Sequence, residues 1–397
     1  MSRRPIMKIY ETDGHCGNFT ATVLSCEVDR NGFYEIVLDR TAFFPEGGGQ
    51  SSDRGTLGGQ PILGLRTNSE RSVIYHTIAA PIAKGSLVEG VVDMKKRFSD
   101  MQNHTAEHIV SGTVNALYGY DNVGFHMGSD EITMDFNGIL SQEQLSEVEK
   151  RANQAVYANL PVKITFHEPG SLEKIHYRSK KELNTTIRLV EIEGVDVCAC
   201  CAPHVGHTGE IGLIKITGFQ KYKGGTRVGM LAGSRAFAEL SYRFSQVKAL
   251  SASLSAKPDD LCNRITQLQN EIGLLKAEKS AVYRNYYLLR AEHCIFRSGN
   301  TILFEKEGSF DDLRAFVNLL TERAAGICAV CAPEPGEKEA YRFVMGSRSA
   351  DLRAVAGSLR EMLGAACGGR PEMIQGSVVT SQSKLREAFE KIISEKW

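Results

Sequence analysis

HTAEHIV, residues 104–110, decides how this chain is read. His104 and His108 stand four apart, with Glu107 just before the second. As His-x-x-Glu-His this is the zinc-peptidase signature reversed, with Glu107 as general base. As His-x-x-x-His it is a pair on one helix face that can share a metal ion and needs partners from elsewhere. Downstream, DVCACCAPHVGHTGEIG begins at Asp196 and sets Cys200 and His204 four apart again. Thiolate and imidazole are the ligands zinc prefers, and two such pairs build a tetrahedral or open three-ligand site. Cys198, Cys201 and His207 crowd the second pair. Because extended Cys-Ala-Cys points Cys198 and Cys200 to one face, Cys198 stays open as an alternative ligand, as does Cys201. The peptidase reading needs a carboxylate ligand that nothing in the sequence marks. A helical wheel also puts Glu107 about 80° from the mean direction of the histidines, which reads as a solvated position. The paired-ligand reading is the stronger.

Outward from these pairs, the periodicity changes along the chain. Up to about residue 90, short runs such as FYEIVLDRTAFF (from Phe33) and ERSVIYHTI (from Glu70) alternate with Gly- and Ser-rich turns, which predicts a small β-barrel. Residues 91–235 read as an α/β unit built around the histidine helix. Ser141 and Gln144 form a capping box there, with Leu145, Val148, Ala152 and Val156 on one helix face. Over 236–293, Leu261, Ile265, Leu268, Ile272, Leu275, Val282, Tyr286 and Leu289 follow heptad steps interrupted by Lys279, after a Pro258 placed to start a helix. Such a seam pairs with the preceding helix, with a second copy of the chain, or with both. Residues 294–397 return to strands (TILFEK, ICAVCA, YRFVMG) and helices. The expected class is therefore α+β: barrel, metal-site domain, coiled-coil-like linker and a final α/β domain.

Composition narrows the partners. The 397 residues hold 47 Lys plus Arg against 47 Asp plus Glu, so a polyanion must be met by local patches rather than by a global field. The stretch QKYKGGTRVG, with Lys221, Lys223, Arg227 and Tyr222, is one such patch. Ten cysteines without a signal sequence indicate reduced thiols in a cytoplasmic protein. No apolar run is long enough for a membrane span. Cys328 and Cys331 in ICAVCA have no second pair to complete a zinc ribbon and read as core.

The two metal pairs resemble those of the alanyl-tRNA synthetase editing domain and its free-standing relatives, the AlaX proteins. The resemblance extends through TAFFPEGGGQSSDRG (Thr41 to Gly55), VGFHMGSDEITMDF and HTGEIGLIKI, and covers roughly Met1 to Arg235. One departure is Cys201-Ala-Pro203 where the family usually has Gly-Gly-Thr. AACGGRPEMIQGS (Ala365 to Ser377) resembles the glycine motif of the DHHA1 domain of the long AlaX form. No Asp-His-His motif is present, so phosphodiesterase chemistry is not implied.

What the resemblance implies is a zinc-dependent hydrolase acting in trans on tRNA(Ala) mischarged with serine, with glycine as a second candidate. The implied ligands are His104, His108, Cys200 and His204, and the ion either activates water or holds the substrate. Thr41 corresponds by position to the threonine that meets the serine hydroxyl. Gln50 is a candidate to position the ester or water, and Gly47, Gly48 and Gly49 to admit the terminal adenosine. Arg227 is a candidate phosphate contact, and the helical linker or C-terminal domain a candidate homodimer contact. With no adenylate-forming module before the editing unit, the chain is not expected to charge tRNA itself. The rival expectation is a non-catalytic tRNA-binding protein with a structural zinc.

Overall fold

The computed structural model describes residues 6–128, 131–168, 171, 177–179, 186–296, 299–337 and 339–396. They divide into two compact units, one running to Ala249 and one starting at Leu250.

The first unit begins with a seven-stranded antiparallel sheet ordered Gln60–Pro61, Gly55–Leu57, Leu87–Val92, Asn18–Val28, Tyr34–Leu38, Ile74–Ile78, Gly64–Thr67. Its pivot is Asn18–Val28. Residues Asn18 to Thr22 pair with one neighbour and Val23 to Val28 with the other, and the register shifts between Val23 and Ser25. Such a bulge bends a strand and strengthens its twist. The two outermost strands are successive pieces of one segment: the Ile62 amide donates to Gly55 and the Leu63 amide to Thr77. The sheet thus curls on itself. Phe19, Ala21, Val23, Ile36, Leu38, Leu57, Ile78 and Val88 fill its interior.

Beside it lies the helix Met94–Tyr118, capped by the Asp93 carboxylate, which accepts from the Lys95 and Lys96 amides, and ended by Gly119 at φ 70°. Every residue from Asp100 to Val114 on it is buried. A four-stranded sheet (Asn122–Met127, Ile132–Phe136, Gly225–Ala232, Ile214–Tyr222) and the helix Gln142–Tyr157 share a core with it. The predicted capping box is formed in both directions, and Leu145, Val148, Ala152 and Val156 are the buried residues of their helix. A three-stranded sheet, Val162–His167, Ile187–Ile192 and Asp196–Ala199, delivers the cysteine segment.

In the second unit, Leu261–Glu292 is one helix preceded by a 3-10 turn that starts at Pro258. The predicted seam is corrected at its C-terminal end. Tyr286 and Leu289 are exposed, whereas Tyr287 and Ala291 are buried in the core. The Tyr287 ring stacks on Phe316 at 4.4 Å, which rotates the buried stripe by one residue. Ile265, Ile272, Leu275 and Val282 are also exposed. A five-stranded sheet follows, ordered Thr301–Phe304, Ile327–Pro333, Ala340–Ser347, Met373–Val379, Ala366–Arg370, parallel in its first pair only. Cys328 and Cys331 project into separate apolar clusters of this unit, as core residues. The glycine motif forms the hairpin Ala366–Arg370 with Met373–Val379. Among the described residues no helix is long and apolar enough to cross a membrane.

Candidate metal centre

Helical spacing puts His104 and His108 on one face of Met94–Tyr118, and the segment after Asp196–Ala199 brings Cys200 and His204 to meet them. The four donor atoms all lie within 4.8 Å of one another. Cys200 Sγ is 3.5 Å from His104 Nε2 and 3.4 Å from His204 Nε2.

His104 and His204 are each hydrogen-bonded through the other nitrogen, and that of His108 faces a carboxylate. His104 Nδ1 donates to Gln50 Oε1 at 2.9 Å, so its Nε2 carries the lone pair that faces Cys200. His204 Nδ1 lies 3.1 Å from Thr105 Oγ1. His108 Nδ1 lies 3.1 Å from Asp196, whose carboxylate is held by Arg178 at 2.7 and 2.8 Å. Burial pushes His204 down to about 3, so it stays a neutral donor. Burial opposes ionisation of both Cys200 and His108, yet each supports the other: His104, with hydrogen bonds from His104 and His108, holds the thiol well below its ordinary range, and Cys198, Asp196 and Cys200 hold His108 well above its own. This donor set, three imidazoles and one ionised thiol, fits a zinc-like ion.

The geometry separates the neighbouring cysteines. Cys198 groups with His108 and Asp196 instead, and burial pushes its thiol up to about 11. Cys201 turns toward Arg71, 3.7 Å from Nη1, and burial raises its thiol.

The glycine-rich stretch is pinned to the histidine helix by Lys96 Nζ, which donates to Ser51 Oγ and the Ser52 carbonyl at 2.9 Å, and by two buried contacts. One is Gln50 on His104. The other is the fully buried Arg97, which donates to Asp53 at 2.9 Å from Nε and to the carbonyls of Gly14 and Ala42. Between the pins, Gly47 and Gln50 exchange backbone hydrogen bonds around Gly48 (φ 60°) and Gly49 (φ 83°), a tight turn that favours glycine at both central positions. A Cβ on Gly49 would sit 2.7 Å from the Phe125 carbonyl. Gln50 Nε2 is buried with no partner among the described residues.

Other expected residues have bonds of their own. Thr41 is fully buried: its hydroxyl donates to His76 Nε2 at 2.9 Å and accepts from the Phe43 amide at 3.1 Å. Arg227 pairs with Asp135 at 2.6 and 2.8 Å and covers the Tyr222 ring, so its charge is already compensated. Lys223 lies in the two-residue turn of a hairpin, at φ 47°. His126 is exposed.

Glu107 is the clearest correction. It is buried rather than solvated, and its Oε1 accepts from Ser111 at 2.8 Å and Asn122 at 2.5 Å. The helix is enclosed on every side here, so its angular position does not expose it. Asp196, Arg178, Thr105 and His76 also escaped the sequence reading, since each acts through a neighbour that folding supplies.

Comparison with known proteins points one way. The family model described as "Threonyl and Alanyl tRNA synthetase second additional domain" matches residues 187–229, which include Cys200 and His204. "Alanyl-tRNA editing protein Aarsd1" of Rattus norvegicus is 27% identical over 399 residues, 95% of this chain and 95% of the relative. "Alanine--tRNA ligase" of Thermofilum pendens is 34% identical over 287 residues, 69% of this chain and 31% of the ligase. The C-Ala domain of Aquifex aeolicus alanyl-tRNA synthetase matches 24% of this chain and 86% of that domain, at 20% identity and a TM-score of 0.20, too weak to carry an argument.

Proposed function

The chain is an AlaX-like editing protein related to the editing domain of alanyl-tRNA synthetase, and from that premise we propose that it hydrolyses the ester of Ser-tRNA(Ala), and of Gly-tRNA(Ala), in a zinc-dependent reaction. The observation that supports this most is the convergence of His104, His108, Cys200 and His204, with the outer nitrogens of His104 and His204 hydrogen-bonded and that of His108 3.1 Å from the Asp196 carboxylate.

His104, His108, Cys200 and His204 would hold the ion. When bound, zinc supplies positive charge that polarises an ester or makes water more acidic. The chain's own groups supply the rest. Gln50 Nε2, buried and unpartnered, donates to the ester carbonyl and positions it. Thr41 keeps one lone pair after its bonds to His76 and Phe43, and accepts from the serine hydroxyl, a bond that alanine cannot make. Gly47, Gly48 and Gly49 let the backbone approach the terminal adenosine. Arg227, with Tyr222, contacts the tRNA backbone through whatever charge Asp135 leaves exposed. The functional division follows 1–90, 91–235, 236–293 and 294–397, with the helical segment or the DHHA1-like last domain joining two copies.

The test is a deacylation panel. Purified protein is mixed with labelled Ser-, Gly- and Ala-tRNA(Ala), with and without a chelator. Loss of the seryl ester that the chelator stops, with the alanyl ester spared, supports the proposal; a seryl ester as long-lived as in buffer counts against it. A second reading, a tRNA-binding protein with a structural ion, draws on the presence of four protein donors, the number of a closed site. It predicts chelator-sensitive folding and no ester loss.

A further inference from the structure

Arg71 is an exposed cation that the proposed reaction has so far left without a task. Its place is fixed by its own turn. The Asn68 side chain accepts from the Ser72 and Val73 amides at 2.8 and 3.0 Å and donates to Ser72 Oγ at 2.9 Å. The Arg71 amide donates to the Asn68 carbonyl. These bonds hold Arg71 at φ 52°, a left-handed backbone that residues with a Cβ seldom adopt. The side chain so directed reaches two segments of the site. Nη1 donates to Cys201 Sγ at 3.7 Å, next in the chain to the donor Cys200. It also lies over the glycine turn: a Cβ on Gly47 would sit 2.9 Å from Nη1, and one on Gly48 would sit 3.9 Å from His104 Cε1. Gly47 is not among the glycines at positive φ, so what its missing side chain accommodates is the guanidinium.

Charge decides what such a group does. Other arginines around the histidine helix are committed to carboxylates: Arg97 to Asp53, Arg178 to Asp196 and Arg235 to Asp100. Arg188, which donates to the Glu11 and Cys200 carbonyls, is buried. Arg71 pairs with no carboxylate among the described residues, and it is open to solvent. A guanidinium of this kind matches the oxygens of a phosphate. The substrate carries one close to its ester, because the ester and the phosphate of the terminal nucleotide are one ribose apart. On the protein side, two adjacent glycines link Arg71 to His104. Resting on the editing reading above, we propose that Arg71 binds the phosphate that joins the terminal adenosine to the rest of the tRNA, and so sets the ester in register with the metal centre.

The test couples a change in the protein to a change in the substrate. Arg71→Gln removes the positive charge and keeps a polar side chain. Replacing the last phosphodiester of Ser-tRNA(Ala) by a neutral methylphosphonate removes the other partner. The zinc-loaded full chain and the variant are assayed on both substrates, and their affinities for the same two tRNAs without the seryl group are measured over a range of salt. Zinc affinity is read by competition with a chromophoric chelator. Either change alone should raise KM and Kd about 10-fold, the lower end for a charge-assisted hydrogen bond. The value of kcat should hold, as for a contact made equally in ground and transition states. Made together, the two changes should cost no more than one does alone. Arg71→Gln should also reduce the slope of log affinity against log salt by about 0.7, the share of one single-strand phosphate. Zinc affinity should not move. Losses that multiply would overturn the proposal, as would lost zinc, which would make Arg71 a support for the Cys200 segment. A wild type indifferent to the neutral link sinks it even where the variant does not fold. A wild type that leaves the seryl ester intact removes the editing reading itself, and the coupling in tRNA affinity then still decides whether Arg71 holds the phosphate.

Discussion

Cys200 in the first unit and Cys331 in the second carry the same side chain and ionise in opposite directions. Burial pushes both thiols up. Around Cys331 it meets little resistance, since Phe343, Leu352 and Ile374 belong to its apolar cluster and Arg386 exerts only a weak opposing pull. Cys328, on the other face of that strand, is pushed by burial up to about 12. Cys200 has imidazole nitrogens at 3.4 and 3.5 Å, and these reverse the sign. Position in a folded chain, not burial alone, separates a ligand from a core residue.

The largest effect should come from Cys200→Ser. Zinc affinity, read by chelator competition, should fall by more than the roughly 100-fold that loss of an outer hydrogen-bond partner costs, and seryl-ester hydrolysis should go with it. Retained zinc would show that Cys198 or Cys201 takes over, and would break the contrast just drawn. Asp196→Asn comes next. Losing the carboxylate that faces His108 should weaken zinc by about 10- to 100-fold while the fold persists. An unchanged affinity would mean that the Asp196–Arg178 pair serves only local structure.

How much of this was readable beforehand follows from the same distinction. His104 with His108 and Cys200 with His204 were legible because helical spacing and donor chemistry are local. The box at Ser141 and the core placement of Cys328 and Cys331 were legible for the same reason. Glu107 was misplaced because the histidine helix is enclosed, and periodicity is informative only where one face meets water. Tyr287 displaced Tyr286 in the core because Phe316, nearly thirty residues on, offers a ring to stack on. Asp196, Arg178 and Thr105 gain meaning only once the sheet and helix meet, and no spacing announces that.

His76 extends the comparison to a histidine. As at Cys331 burial dominates, and here it pushes the imidazole down to about 4. Since its folded value lies below the unfolded one, the unfolded chain takes the proton first as pH falls. Stability from this group is therefore complete above about pH 6.5 and is lost progressively down to about pH 4. Between pH 7 and 5 the loss should be about 2 kcal/mol. Glutamine can still accept from Thr41 and donate to Ile36, so His76→Gln should remove this part of the pH slope. Urea unfolding of both chains at the two pH values checks it; parallel slopes would show that His76 is charged when folded.

The smallest effect should belong to the second unit's own cysteines. Cys331→Ala removes one sulfur from between Phe343 and its neighbours and leaves a small apolar gap, which should lower stability by about 1 kcal/mol. Cys328→Ala should cost a similar amount, because its strand faces an equally packed cluster. Neither residue belongs to the four-donor cluster, so zinc stoichiometry and hydrolysis of the seryl ester should stay at wild-type levels. The informative outcome is a fall in bound zinc without a fall in thermal midpoint. That would mean a buried thiol can hold metal without imidazoles beside it, and the three histidines around Cys200 would then be orienting groups and not the cause of its ionisation.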